Sequence, residues 1–208
     1  MTTLLNRIEL KDYAAIATAL SQELAASAVE RDSQAGVPHE EVRLLRQSGL
    51  LPLVVPREYG GIGATWVEAL KILQEIAKAD GSTGQLYSNQ LVLSVVAQAS
   101  GTPAQTERYY RATAQNHLFW GNAFNTRDTR LKIEPEGELT LSALRYRFRV
   151  NGIKTFGTGV AAADMRVFAA VQEGVDYPIV FILPKDREGI VYNNDWDNMA
   201  GLTQSLYI

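Results

Sequence analysis

Cysteine is absent from this sequence. Disulfides, thiolate metal sites and a cysteine nucleophile are thereby excluded, and the redox compartment is left open. Histidine is scarce as well. His39 and His117 stand far apart, and neither belongs to an HExxH or histidine-rich pattern, so no metal site is expected. There is no excess of basic charge: the formal net charge is −3, which gives nucleic acid or an anionic membrane nothing to recognise. No apolar run reaches membrane-spanning length. The opening "MTTLLNRIELKDY" mixes charges with apolar residues where a signal peptide has an uninterrupted apolar core. Neither GxSxG nor a P-loop occurs, and two scattered histidines cannot complete a Ser/His/Asp set. The expectation is a soluble, cytoplasmic protein with neither nucleic-acid nor membrane partners.

What is present is ordinary globular material. With 208 residues, 46% of them hydrophobic and 21% charged, the chain can bury a sizeable core. Its first half reads as helices. Ile16, Leu20 and Leu24 make an apolar stripe between Lys11 and Arg31. "GVPHEEVRLLRQSG" is a short helix opened near Pro38 and stopped at Gly49. Thr65 and Glu68 form a T-x-x-E capping box before Ala69, Ile72, Leu73 and Ile76. A further helix is expected from about Thr83 to Ser100. The last begins at Thr102, Pro103 and Gln105, an N-cap, a first-turn proline and a second capping box.

After His117 the period changes to short strand-like runs: "LFWGNAF", "TRLKIEP", "LTLSALRYRFRVNG", "MRVFAAVQ", "YPIVFILP" and "GIVYNNDW". Arg145, Arg147 and Arg149 alternate with Tyr146, Phe148 and Val150, as on a half-buried antiparallel strand with solvated arginines. The order argues for an α+β protein: a helical domain over residues 1–116, then an antiparallel β domain over 117–208. The final "NMAGLTQSLYI" ends on a strand-like run without a closing turn. The β domain is therefore expected to be incomplete, and the chain a fragment of a longer protein.

Three stretches are candidates for chemistry. "EYGGIGATW" has G-x-G at Gly61 and Gly63, but Trp66 stands where a dinucleotide fingerprint needs its third glycine, so a tight helix–helix connection is expected. "WGNAFNT" places Asn122 and Asn125 at an apolar strand end, either as a polar turn or as amides for a ligand. Trp196 lies among turn formers in "NNDWDNMAG", packing on the domain or covering a ligand. The densest signal is "NGIKTFGTG", residues 151–159. Asn151-Gly152 reads as a hairpin turn. The glycines beyond it let the backbone approach another strand, a phosphate or a flat ring.

In order along nearly the whole chain, "SGLLPLVVPREYGGIGATWVEALKILQEIAKADGSTG", "WGNAFN", "VNGIKTFGTGVAAADMRVFAA" and "DWDNMAGLTQS" resemble the acyl-CoA dehydrogenase superfamily of flavoproteins. The resemblance implies that family's N-terminal helical domain and its middle β-barrel-like domain, with the C-terminal four-helix bundle absent. It also implies that Phe156 takes the aromatic place and Thr158 the hydroxyl place of the family's K-x-W-[IV]-[ST]-N. Both would lie against a flavin, FMN or FAD, with Asn122 and Asn125 on its other polar groups and Trp196 near it.

Within the superfamily the likeness is to the two-component monooxygenase branch. The dehydrogenase-type TEPxxGSD is missing from "FNTRDTRLK", and Phe-Gly-Thr-Gly replaces the usual motif. That branch takes reduced flavin from a separate reductase and oxygenates a small-molecule substrate through a flavin hydroperoxide. Homo-oligomers, tetramers or dimers, go with it. On this reading Gly157 and Gly159 leave room beside the ring. Gln85 and Asn89 stand where relatives often carry a histidine, so no catalytic residue is assigned. The alternatives are an acyl-CoA dehydrogenase with bound FAD, and a non-catalytic remnant or interaction module.

Overall fold

A computed structural model describes residues 10–137, 147–193 and 203–207. Six helices come first: α1 (Leu10–Gln34), α2 (His39–Gln47), α3 (Trp66–Ala79), α4 (Gly81–Leu93), α5 (Val96–Ser100) and α6 (Pro103–Asn116). The strands are β1 (Trp120–Ala123), β2 (Lys132–Pro135), β3 (Phe148–Asn151), β4 (Ile153–Thr158), β5 (Met165–Ala170), β6 (Ile179–Pro184), β7 (Val191–Tyr192) and β8 (Thr203–Tyr207). Helices followed by strands is the expected α+β order. Among the described residues, no helix is long and apolar enough to cross a membrane.

Local chemistry explains where the helices begin. Both expected capping boxes are formed, at Thr65/Glu68 and at Thr102/Gln105. Each satisfies two amide donors that a helix start otherwise leaves open. Asp80 caps α4 by accepting from the Thr83 backbone N–H at 3.0 Å. The helix expected from Thr83 to Ser100 is two helices, broken at Ser94 and Val95. Ser94 Oγ bonds back to the Leu91 carbonyl at 3.2 Å, and Val95 leaves the helical region with φ −115° and ψ 7°.

Helix α4 is the inner helix, buried on several sides through Thr83, Leu86, Tyr87, Gln90, Leu91 and Leu93. It packs with Leu20 and Leu24 of α1, Leu45 of α2, and Ile72 and Ile76 of α3. Phe119 and Ala163 belong to this same cluster, so the helical core runs without interruption into the β part. A second core lies within the strands, built from Ala123, Leu131, Ile133, Val160, Phe168 and Ala170.

The strands form a six-stranded sheet in the order β6-β5-β1-β4-β8-β7, and β2 and β3 form a separate ribbon. The ribbon is tied on by a bridge between Lys132 and Val171. The sheet departs from the all-antiparallel expectation in one pair: β1 and β5 run parallel. The chain leaves β4, which is antiparallel to β1, and turns through Gly159–Asp164 across the start of β1. The Phe119 carbonyl accepts from the Asp164 and Met165 amides there. Strand β5 is thus laid on the far side of β1, pointing the same way.

The expected hairpin at Asn151-Gly152 is also absent, since β3 pairs with β2 while β4 pairs with β1 and β8. Gly152 has another reason to be glycine. Its φ is +136°, and a Cβ there would sit 2.2 Å from the Arg130 carbonyl oxygen. The glycines of "EYGGIGATW" do form a compact connection, between a 3-10 turn at Arg57–Tyr59 and α3. A side chain at Gly61 would strike the Val55 carbonyl at 2.0 Å.

Glycine decides how closely β1 and β4 abut. A Cβ on Gly121 would lie 2.8 Å from the Gly159 backbone and 2.9 Å from the Val160 Cα. Backbone cannot swing aside as a side chain can. Gly121→Ala is therefore expected to destabilise the fold by about 1–3 kcal/mol, the usual cost of overpacking, read as a lower midpoint in urea denaturation.

Candidate functional site

Strands β1 and β4 meet with Asn122 opposite Thr158, which places the two side chains on one face of the sheet. Thr158 is buried and Asn122 half-buried. The Asn122 amide is held in a single orientation. Its Nδ2 donates to Asn89 Oδ1 on α4 at 2.6 Å, and its Oδ1 accepts from the Phe124 backbone N–H at 3.2 Å. Antiparallel register carries Phe124, just past the end of β1, and Phe156 of β4 to the same end of this pair. Both aromatics are exposed, Phe124 by 37% and Phe156 by 59%. Two accessible rings thus lie at one end of the paired amide and hydroxyl groups.

Phe156 has a positive φ of 58°. Left-handed backbone is unusual for a bulky side chain and costs about 1–3 kcal/mol. The cause is a bulge, for the β4–β8 register shifts between Lys154 and Gly157. More than half of its surface faces solvent. A strained, exposed ring is a pattern typical of ligand sites.

Asn125 stands beside this face, but its side chain is engaged locally, Oδ1 accepting from the Arg127 N–H at 3.2 Å. Trp196 lies outside the described residues. The glycine expectation needs correction at one position. Gly159, with φ +63°, faces Leu86 and Phe119, which a Cβ would approach to 2.9 and 3.2 Å. It serves the joint between helices and sheet, and leaves no room beside a ring. Sequence reasoning also missed Phe124 and Asn89 as members of the face. Phe124 was legible in principle, as an aromatic two residues beyond Asn122 and just past the end of β1.

Residues 13–117 match the family model described as acyl-CoA dehydrogenase, N-terminal domain. The chain belongs to the acyl-CoA dehydrogenase family. The probable FMNH2-dependent monooxygenase SfnC of Pseudomonas putida is 33% identical over 188 residues, which are 89% of this chain and 45% of that protein. The dibenzothiophene monooxygenase of Rhodococcus qingshengii is 37% identical over 194 residues, with the same shares of 89% and 45%. FMN-bound TdsC from Paenibacillus sp. A11-2 has a similar structure, with a TM-score of 0.83 at 28% identity, over 94% of this chain and 50% of that one. The chain spans about half the length of the relatives it matches.

Beneath the face of this acyl-CoA dehydrogenase-family chain lies a charged layer. Lys154 is only 1% exposed. Its Nζ donates to the backbone carbonyls of Asn125 and Asp128, each at 2.6 Å. Burial pushes the Lys154 ammonium below its ordinary range, and the nearby Asp128 carboxylate pulls it back up. Asp128 accepts from Arg130 Nε and Nη2, both at 2.8 Å, and from the Thr155 N–H and Oγ1 at 3.0 and 2.9 Å. These bonds, those from Arg130 above all, hold its carboxyl far below the usual range against the opposing effect of burial.

Among the described residues, hollows lie elsewhere. One of about 620 Å³ opens between α1, α2 and the start of α4, beside Arg31, Glu41 and Asp80. One of about 290 Å³ lies between α5, α6 and β6. Neither includes Asn122, Asn125, Phe156 or Thr158. Among the described residues, no cluster of histidine, aspartate and glutamate could hold a metal ion.

The depressed Asp128 carboxyl has a defined consequence for stability. A lowered folded-state pKa stabilises the fold above the unfolded value near 4, and that contribution is lost as pH falls through the folded value. Urea midpoints should therefore fall from pH 5 into the acid range. Asp128→Asn should be less stable at pH 7 and show a shallower acid decline, and an unchanged slope would show that Asp128 does not carry it.

Proposed function

We propose that this chain forms the flavin-facing part of a flavin-dependent monooxygenase that uses reduced flavin and O2 on a small organic substrate. The observation that carries the reading is Phe156: an exposed ring held in strained backbone, beside Phe124 and the Asn122–Thr158 pair. An isoalloxazine is flat and apolar on its faces and polar along its edges. Two accessible rings with an amide and a hydroxyl at their margin are a donor set that fits it. Support also comes from the relatives, one named as FMNH2-dependent and one solved with FMN bound. Reduced FMN is thus preferred over FAD.

In this reading Phe156 packs on the ring, while Thr158, Asn122 and Asn125 face its polar edge, and Trp196 lies near it. Bound reduced flavin supplies the two electrons with which one oxygen atom enters the substrate and the other leaves as water. The chain's own work is orientation and dryness. The Asn89 contact fixes which end of the Asn122 amide faces the ligand, and Phe124 with Phe156 excludes water from one side of the ring. The reading includes a homo-oligomer, a tetramer or dimer. A separate reductase supplying reduced flavin, and a cytoplasmic location where that flavin is made, complete the proposal.

Family membership keeps one competing reading in view, an acyl-CoA dehydrogenase with bound FAD. Asparagine tolerates left-handed backbone, so Phe156→Asn should keep the fold. It should weaken FMN binding about tenfold, as the loss of an aromatic contact worth roughly 1.4 kcal/mol implies. Fluorescence titration with FMN and FAD measures this, paired with a melting curve. Incubation with reduced FMN, 18O2 and dibenzothiophene or methanesulfinate as probes should label the product. Reduction of bound FAD by an acyl-CoA, without label, would establish the competing reading.

A further inference from the structure

The bulge that presents Phe156 is held by one loop. Residues 125–130 touch the segment 152–155 at three successive points. At the first, Gly152 lies so close to the Arg130 carbonyl that a Cβ would sit 2.2 Å from it. At the second, the buried Lys154 ammonium spans the Asn125 and Asp128 carbonyls. At the third, one carboxylate oxygen of Asp128 takes both the backbone N–H and the hydroxyl of Thr155. Phe156 is the next residue, and it alone of the strand has left-handed backbone among non-glycine residues.

These contacts answer a physical question that strain raises. A residue in a costly conformation relaxes unless its neighbours over-determine it. On the far side Phe156 is fixed by the ladder, where Gly157 pairs with Gln204 and Thr158 with Asn122 and Thr203. On the near side the Thr155 N–H has its partner in Asp128, a side chain. An ionised acceptor makes that bond about twice as strong as a neutral one. Asp128 is itself held rigid by the fork from Arg130.

We propose that Asp128 and Lys154 are positioning residues that hold Phe156 in its strained, outward pose. The purpose of that pose rests on the flavin reading above, while the pose itself does not. Both act through the backbone of β4 and of the loop. The arrangement explains why a lysine is buried where an apolar side chain would pack more cheaply. Its two short bonds join the loop to the strand; without them the Asn125 carbonyl keeps only the Asp128 N–H at 3.2 Å and the Asp128 carbonyl loses its lysine donor.

The test places 4-fluorophenylalanine at position 156 of the full chain and records its 19F resonance without any flavin. Asp128→Asn and Lys154→Met are compared with the parent. Thr155→Val, a milder change that removes one donor to Asp128, covers the case in which either variant does not fold. The parent should give one narrow line, and the variants a broadened or second line near the unfolded position, at temperatures where far-UV circular dichroism shows the fold intact. A line unchanged in Thr155→Val and in every folded variant would overturn the proposal, whatever happens to flavin binding. FMN titration of the same proteins is the second arm. A moved line with FMN affinity reduced about tenfold supports both readings. A moved line in a parent that binds no FMN leaves the positioning role standing and removes the flavin reading.

Discussion

One buried carboxamide joins the two halves of this protein. Gln90 on α4 donates through Nε2 to the carbonyls of Leu51 and Leu118, at 2.9 and 3.1 Å, and accepts the Trp120 N–H through Oε1 at 2.7 Å. Trp120 is the first residue of β1, so the helical core fixes the strand on which β4 and β5 are both built. The next residue back, Asn89, reaches Asn122. One turn of one helix thus sets the height of β1 and the orientation of the amide at the candidate face. Each of these buried polar groups is satisfied, and any one left unpaired costs about 1–3 kcal/mol. That requirement makes the joint specific in a way that apolar packing alone would not.

The strain at Phe156 is the counterpart of that rigidity. A bulge in β4 throws one aromatic outward at a cost of about 1–3 kcal/mol, and a network of charged and polar groups keeps it there. Asparagine or glycine would occupy the same backbone more easily. Binding gives a reason, because a ring already in place loses little freedom when a flat ligand docks on it. The large hollow beside Arg31 and Asp80 lacks this combination of strain, aromatic surface and oriented amides.

Much of the fold was legible in the sequence because its signals are local. The capping boxes at Thr65 and Thr102 and the apolar stripe of Leu20 and Leu24 depend on residues three or four apart, and each appears in the structure. The helix-to-strand order followed from the change of period. What the sequence misled about was non-local. Asn151-Gly152 resembles a hairpin turn, yet Gly152 is shaped by Arg130, which no short window contains. The parallel pairing of β1 with β5 comes from a turn crossing a strand more than forty residues earlier. Gly159 resembled a ligand glycine and packs against Leu86 and Phe119.

The site was legible to a similar degree. Asn122 and Thr158 pair on one face with Phe156 at the end of the pair, whereas the Asn125 Oδ1 is engaged within its own loop. Asn89 was noticed for the histidine it lacks, and its contact with Asn122 needed the fold to be seen. The most direct measurement is a crystal structure of the full chain with FMN. The isoalloxazine is expected in van der Waals contact with Phe156, its polar edge within hydrogen-bond distance of Thr158 or Asn122. A ring bound elsewhere, such as in the hollow beside Arg31, or crystals grown with saturating FMN that hold none, would contradict the account.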